Sequence, residues 1–367
     1  MTAAISKENI KDLMAWFELH RREMPWRGSG DPYHVWVSEM MLQQTQVATV
    51  QQYFPRWVAR FPDVFSLAQA PLEDVLKTWE GLGYYTRARN FHKGAVYIAE
   101  HASSEKDPFP KTYEAWLKVP GVGPYTAAAV SSIAFAYPAG VVDANVLRVM
   151  SRFFCIEENI PAEKSKREIF RMISESFYEY HPGWVNQAWM ELGSLCCRPQ
   201  PDCSVCPLEY ACCAKRRGNT NQYPRKTRKQ PIPVRYAAAF IISDMGQFLL
   251  VRRKAEGFLG GLWEFPGYTL KSRESDPQYF EQFINTNAIR ISGKNKKIVR
   301  QTYSHFHQDT ELFFAKINGK WESDHWSEAR WVSPCDMEEL ARSGQTIRII
   351  KELHLADVCQ TTPENNN

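Results

Sequence analysis

"CCRPQPDCSVCPLEYACC" runs from Cys196 to Cys213 and holds six of the chain's nine cysteines. Two residues separate Cys203 from Cys206, five separate Cys206 from Cys212, and six separate Cys196 from Cys203. Four of the five thiols within the seventeen residues from 196 to 212, with prolines restricting the loop, can wrap a single centre. Soft sulfur donors select zinc or an iron–sulfur cluster. Zinc ribbons pair two Cys-x-x-Cys knuckles across a longer stretch, and only one such knuckle is present. Cys213, Cys155, Cys335 and Cys359 are left as spare thiols.

The chain around this loop divides into two halves of different character. Before it, apolar residues recur at three- and four-residue spacings in "IKDLMAWFELH", "VWVSEMMLQQTQVATVQQYF" and "YTAAAVSSIAFA", which predicts a mainly helical region over residues 1–213. Residues 214–233 are a linker rich in turn formers. Between Ala214 and Arg235 stand eight Lys/Arg and no Asp/Glu, so this stretch carries +8 and, the formal net charge being +4, the remainder nets −4. Such density suits contact with a polyanion or, equally, a solvated linker. Beyond it, "RYAAAFIISDMGQFLLVRR" predicts two strands around an Asp-Met-Gly turn, and "ELFFAKI" and "ARWVSP" predict further strands. "MEELARSG" and "TIRIIKELHLADV" predict helices, giving a small α+β domain over 234–358 and a disordered tail over 359–367. No run of eighteen apolar residues and no basic-then-apolar leader occur, so an intracellular, reducing setting without a membrane span is expected, where disulfides are rare.

"LKVPGVGPYTAAAV" (Leu117–Val130) reads as a helix end, a Pro-Gly-Val-Gly turn and a second helix. Gly121 and Gly123 let the backbone approach a ligand closely, and the next helix N-terminus offers unpaired N–H groups that suit a phosphate. Asp143, in "VVDANVLRV", stands eighteen residues beyond Tyr125, where capping the following helix is the ordinary role of an aspartate. In "SEMMLQQTQV" (Ser38–Val47), Glu39 lies among apolar residues, where a solitary acid is ordinarily a partly exposed charge.

These segments together carry a resemblance. The cysteine spacing is similar to the [4Fe–4S] loop of the endonuclease III and MutY family of DNA glycosylases, with Cys203, Cys206 and Cys212 as ligands. Spacing favours Cys196 as the fourth ligand, whereas register from Gly193 favours Cys197. "VPGVGPYT" resembles that superfamily's helix-hairpin-helix, and "MPWR", "PYHVWVSEMMLQQTQV" and "GLGYYTRARN" resemble MutY sequences specifically. The resemblance implies duplex DNA as partner, with adenine opposite 8-oxoguanine or guanine as the lesion, and a monomer. It places Glu39 as the acid that protonates adenine and Asp143 as the carboxylate that stabilises the sugar cation, two carboxyls of opposed protonation as in glycoside hydrolysis. On a helix, Val35, Trp36, Leu42 and Gln43 flank Glu39 and supply an apolar setting that raises its pKa. Arg27, Tyr125 and Gln187 line the adenine pocket. Gln44 fills the gap left by the flipped base, and Tyr84 wedges beside the oxidised guanine. Relatives that also cut the backbone carry lysine where this chain has Tyr125, which implies a monofunctional enzyme.

"FLLVRRKAEGFLGGLWEFPG" (Phe248–Gly267) resembles the Nudix-like domain appended to MutY proteins. Arg273 stands where a Nudix hydrolase needs an acid, and "DPQYFEQFINTNAI" lacks the acidic cluster that would hold Mg²⁺, so a reader is expected rather than a hydrolase. "YSHFH" (Tyr303–His307) resembles the family's recognition loop, with Ser304 and His305 against the oxidised base. Alternation on a strand disfavours a metal pair of His305 and His307. Three other classes compete: a bifunctional glycosylase/lyase, a non-catalytic DNA-binding protein, and a nucleotide-pool hydrolase. If the organism is bacterial, the location implied is cytoplasm or nucleoid; protein partners docking on the linker are not indicated.

Overall fold

The computed structural model describes residues 4–158, 162–225, 231–270, 276–295, 297–319, 321 and 324–355. Expectations for the 359–367 tail, Cys359, Arg273 and linker residues 226–230 lie outside the described residues. Two compact units form: Met1–Gln69 with Asn90–Lys229, and Ala70–Arg89 with Gln230–Asn367. Residues 70–89, inside the expected helical region 1–213, therefore group with the C-terminal unit.

The first unit is helical. Its elements are α1 (Lys7–His20), α2 (Pro32–Leu42), α3 (Val47–Arg60) and α4 (Val64–Gln69). After α5 (Leu72–Thr78), which belongs to the second unit, come α6 (Thr86–His101), whose residues 86–89 group with the second unit, α7 (Tyr113–Trp116), α8 (Pro124–Phe135) and α9 (Ala144–Phe153). Then follow α10 (Glu163–Ser174), α11 (Pro182–Leu195) and α12 (Cys213–Arg216). Asp31 caps α2 by accepting from Tyr33 N–H, and Pro32 supplies a preset first-turn φ. The sequence from Tyr33 to Met41 is buried on nearly every side, Glu39 included, which marks α2 as a core helix. The helical reading of 35–54 is corrected in one respect. The chain breaks between α2 and α3, where Gln44 takes a left-handed φ of 60°. Apolar residues stand on both sides, at Leu42 and Val47, and no Gly or Pro lies between them to mark the break.

In the second unit, β1 (Val234–Asp244) and β2 (Gln247–Arg253) flank the Met245–Gly246 turn. They are followed by β3 (Trp263–Glu264), β4 (Gly267–Leu270), α13 (Asp276–Thr286), β5 (Ile289–Lys294), β6 (Val299–Thr302), β7 (His307–Ile317), β8 (Trp326–Val332) and α14 (Gly344–Glu352). The sheet runs β3-β2-β1-β7-β5, with β4 on β1, β6 on β7 and β8 on β2. β1 and β7 are parallel, pairing Val234 with His307 through Ile242 with Ala315. The run "AAAFII" is buried on both faces: Ala239 and Ile241 meet Ile349 and Ile350 of α14, while Phe240 meets Phe280 and Phe283 of α13. The helix expected over "MEELARSG" shrinks to a single 3₁₀ turn, Asp336–Glu339.

Candidate active site

Glu39 is only 5 % exposed and sits on α2 against α8. The small residues Ala127, Ala128 and Ala129 let these helices approach, and the Tyr125 hydroxyl donates a short hydrogen bond to Glu39 Oε2. Burial pushes the Glu39 carboxyl up to about 7, helped by the charge of Asp143 and opposed by the Tyr125 hydrogen bond and the Arg27 charge. Burial and the neighbouring carboxylates likewise push the Tyr125 phenol well above its ordinary value, so it remains a proton donor. A cavity of ≈ 440 Å³ opens here. Glu39, Asp143, Tyr125, Arg27 and Gln187 all line it, with Val35 and Leu42 supplying part of its apolar wall. Its size lies in the range of small-molecule pockets. Of the expected flanking residues, Trp36 is wholly buried in the core and Gln43 bonds Thr126, so neither lines the cavity.

Asp143 turns out to serve as a cap and as a cavity wall at once. It is the N-cap of α9, its Oδ1 accepting from Val146 N–H at 2.6 Å and its Oδ2 from Asn145 Nδ2 at 2.9 Å. Burial raises its pKa above the ordinary aspartate value, while these donors and the Arg148 charge pull the other way. α9 reaches this position because α11 offers Gly193: a Cβ there would lie 2.7 Å from Asn145 Cβ.

The polar end of the cavity is an arginine–carboxylate network. Arg27 Nε donates to Gln187 Oε1 at 3.0 Å and its Nη1 to the Arg22 carbonyl at 2.6 Å. Glu191, 2 % exposed, accepts two hydrogen bonds from the Arg22 side chain and one from its backbone N–H. Burial pushes the Glu191 pKa up, but the Arg22 hydrogen bonds and the Arg27 charge outweigh it, and the net shift is down. Glu191 thus stays ionised beside the cavity, whereas Glu39 holds its proton into the neutral range. Sequence reasoning missed Glu191; its one-turn offset from Gln187 on α11 was the available signal.

At the hairpin, Gly121 has φ +80° and a Cβ there would meet Asn90 Cβ at 2.4 Å. Gly123 begins α8 without any side-chain cap, and the space beside it is open. Lys118 is exposed before the turn. Gln44 is exposed at the α2–α3 break in its left-handed pose.

The cysteine loop needs a correction. Cys155 and Cys213, Cα atoms 5.7 Å apart, form a disulfide, and Cys335 is also disulfide-bonded. They are not spare thiols. Cys155 and Cys213 lie 58 positions apart in sequence, so spacing gave no hint. Cys196, Cys197, Cys203, Cys206 and Cys212 remain free and line one small cavity. Arg152 Nη1 donates to Cys197 Sγ at 3.3 Å, and Cys196 Sγ donates to the Asp202 carbonyl at 3.0 Å. Among the described residues no three His, Cys, Asp or Glu stand in a geometry that could hold a metal ion as they are. In identity and in sharing one cavity, the thiols fit a sulfur-ligated centre.

In the second unit, Thr302 pairs with His307 and Tyr303 N–H donates to the Phe306 carbonyl at 2.9 Å. Ser304 and His305 are therefore the exposed tip of a two-residue hairpin. His305 lies in the turn and His307 on β7, so the strand alternation expected for the pair does not hold. Phe306 anchors the hairpin under the Arg235 guanidinium, 4.0 Å from its ring centroid. Tyr84, 44 % exposed with φ 49°, belongs to this same unit.

Residues 37–175 match the HhH-GPD superfamily of base excision DNA repair proteins, and residues 237–352 match the NUDIX domain. Of solved structures, a thermostable thymine-DNA glycosylase aligns with TM-score 0.50 at 23 % identity, over 57 % of this chain and 97 % of that one. The match is one of fold. Fold and site together define a base-excision DNA glycosylase with an appended Nudix-like domain. Adenine DNA glycosylase of Rattus norvegicus is 31 % identical over 414 residues, spanning 95 % of this chain and 79 % of its own length. That of Mus musculus is 36 % identical over 316 residues, spanning 72 % of this chain and 61 % of its own length. The chain belongs to the adenine DNA glycosylase family.

Proposed function

We propose that this protein excises adenine mispaired with 8-oxoguanine, or with guanine, from duplex DNA, by base flipping and acid-assisted hydrolysis of the N-glycosidic bond. The observation that carries this is Glu39: a buried carboxyl with its pKa near 7, hydrogen-bonded by Tyr125 in a cavity shared with Asp143. A departing adenine must leave as a neutral base, so its ring needs a proton, and a carboxyl poised near neutrality can deliver one. Asp143 stabilises the positive charge that develops on the sugar, and Arg27 and Gln187 hold the flipped base. Gln44 occupies the vacated stack, Tyr84 wedges beside the opposite base, and Ser304 and His305 read its oxidation. Tyr125 cannot form the Schiff base an amine would, so the strand is left uncut. Gly121 and Gly123 grip backbone phosphate.

Cys203, Cys206 and Cys212, with Cys196 or Cys197, would hold a [4Fe–4S] cluster. When bound, it ties the loop between α11 and α12 into one shape through thiolate–iron bonds. The reading is tested by incubating the native chain with an A:8-oxoguanine duplex. Free adenine, strand breaks only after alkali, and no borohydride-trapped adduct support it. Trapped adduct and direct cutting indicate a lyase; tight binding without adenine release indicates a non-catalytic binder.

A further inference from the structure

Residues 70–89 are fastened to the C-terminal unit along their whole length. Glu73 accepts from Trp263 Nε1 at 2.9 Å and pairs with Arg252 at 3.4 Å. Arg89 Nη1 donates to the Gly260 carbonyl at 2.8 Å. Between these anchors Arg342 grips the turn from both sides. Its backbone N–H donates to Glu80 Oε2 at 3.0 Å and its Nη2 to Glu80 Oε1 at 3.1 Å, while its carbonyl accepts from Tyr85 Oη at 2.9 Å. The Arg342 side chain is 9 % exposed and that of Glu80 16 %, so the pair is shielded from water and removing one partner leaves the other's charge unpaired.

Tyr84 stands between those two grips. Its left-handed backbone is one a tyrosine adopts only when its surroundings impose it. Trp79 Nε1 donates to the Gly83 carbonyl at 3.0 Å, and Arg87 Nη2 to the carbonyls of Leu82 and Gly83 at 3.1 and 3.3 Å. The Arg87 guanidinium lies 5.2 Å from the Trp79 ring and 5.4 Å from the Tyr84 ring. Every one of these groups belongs to the unit that carries the Ser304–His305 hairpin.

We propose that Arg342, Glu80 and Arg87 are positioning residues for Tyr84. They fix its turn to the C-terminal domain, so that the wedge and the hairpin that reads the oxidised base form one rigid reader. This rests on the function proposed above. Discrimination between 8-oxoguanine and guanine then depends on Arg342, although Arg342 touches neither base.

The test is the ratio of single-turnover adenine release from A:8-oxoguanine and A:G duplexes. Arg342→Ala and Tyr85→Phe lower that ratio, the former by about tenfold, as expected for loss of a shielded charged hydrogen bond. Arg342→Lys restores most of it. In a Tyr84→Ala background, Arg342→Ala has no further effect on the ratio, because it acts through Tyr84. Thermal midpoints measured alongside identify any variant that merely unfolds, and Tyr85→Phe, which deletes a single hydroxyl, carries the test if Arg342→Ala does. An unchanged ratio in folded Arg342→Ala or Tyr85→Phe, or an equal loss with and without Tyr84, overturns the inference while native discrimination stands. A native chain that releases no adenine from either duplex overturns the functional reading and this inference with it.

Discussion

The burial that raises the pKa of Glu39, and so suits it to the acid role proposed for it, also carries a stability cost. Its folded pKa of about 7, against an ordinary 4.5, means the folded protein holds the proton more tightly than the unfolded chain does. The stabilisation from that proton is complete below about pH 4 and is lost as pH rises through 7. At pH 8 the ionised, buried carboxylate therefore costs about 3 kcal/mol. Glu39→Gln keeps the shape and cannot ionise, so its advantage in urea midpoint over the native chain should grow from pH 5 to pH 7 and level off above. An advantage independent of pH would show that Glu39 is not the titrating group. For the reaction the sign runs the same way: the acid is lost as pH climbs through about 7, and single-turnover release should fall with it. Glu191, fully ionised between Arg22 and Arg27, shows that burial alone does not set protonation; the partners do.

At the scale of elements, glycines decide how closely helices and turns approach. Gly121→Ala places a side chain at φ +80° and against Asn90, and should cost about 2 kcal/mol with weakened DNA binding, read by thermal midpoint and duplex titration. On the cysteine loop, Cys206→Ala or Cys212→Ala should abolish bound iron by elemental analysis. Cys196→Ala and Cys197→Ala should differ, one retaining iron and one losing it. Much of this level was legible beforehand. α2 and α8 followed from apolar period and the Pro-Gly turns, and β1 and β2 from "AAAFIISDMGQFLLV". The α2–α3 break was not legible, because Gln43–Gln46 holds neither Gly nor Pro to mark it, and nothing in residue type signals the left-handed Gln44. The β3–β6 strands were missed because each is short, at two to six residues, too few for an alternating pattern to stand out.

At the scale of the whole chain, the residues that sequence singled out come together, whereas the grouping of segments into units was not foreseen. The resemblance to MutY sequences, and not spacing alone, singled out Glu39, Asp143, Arg27, Tyr125 and Gln187, and the fold brings all of them to one cavity. Sequence gave no sign that residues 70–89 join the C-terminal unit, since nothing in composition distinguishes them from their helical neighbours. The Cys155–Cys213 bond was likewise invisible, and it runs against the expectation of a chain without disulfides. If duplex DNA is the partner, log affinity should fall linearly with log salt as phosphate contacts release counterions. A salt-independent affinity would remove DNA backbone contact from the account.

The central claim is that Glu39 supplies the proton. The most direct measurement is single-turnover adenine release from an A:8-oxoguanine duplex across pH 5 to 9, for the native chain and Glu39→Gln at matched duplex occupancy. The account predicts a native rate that declines through about pH 7 and a Glu39→Gln rate lower by at least roughly a hundredfold, without that inflection. Equal rates, or the same inflection in both proteins, would contradict it.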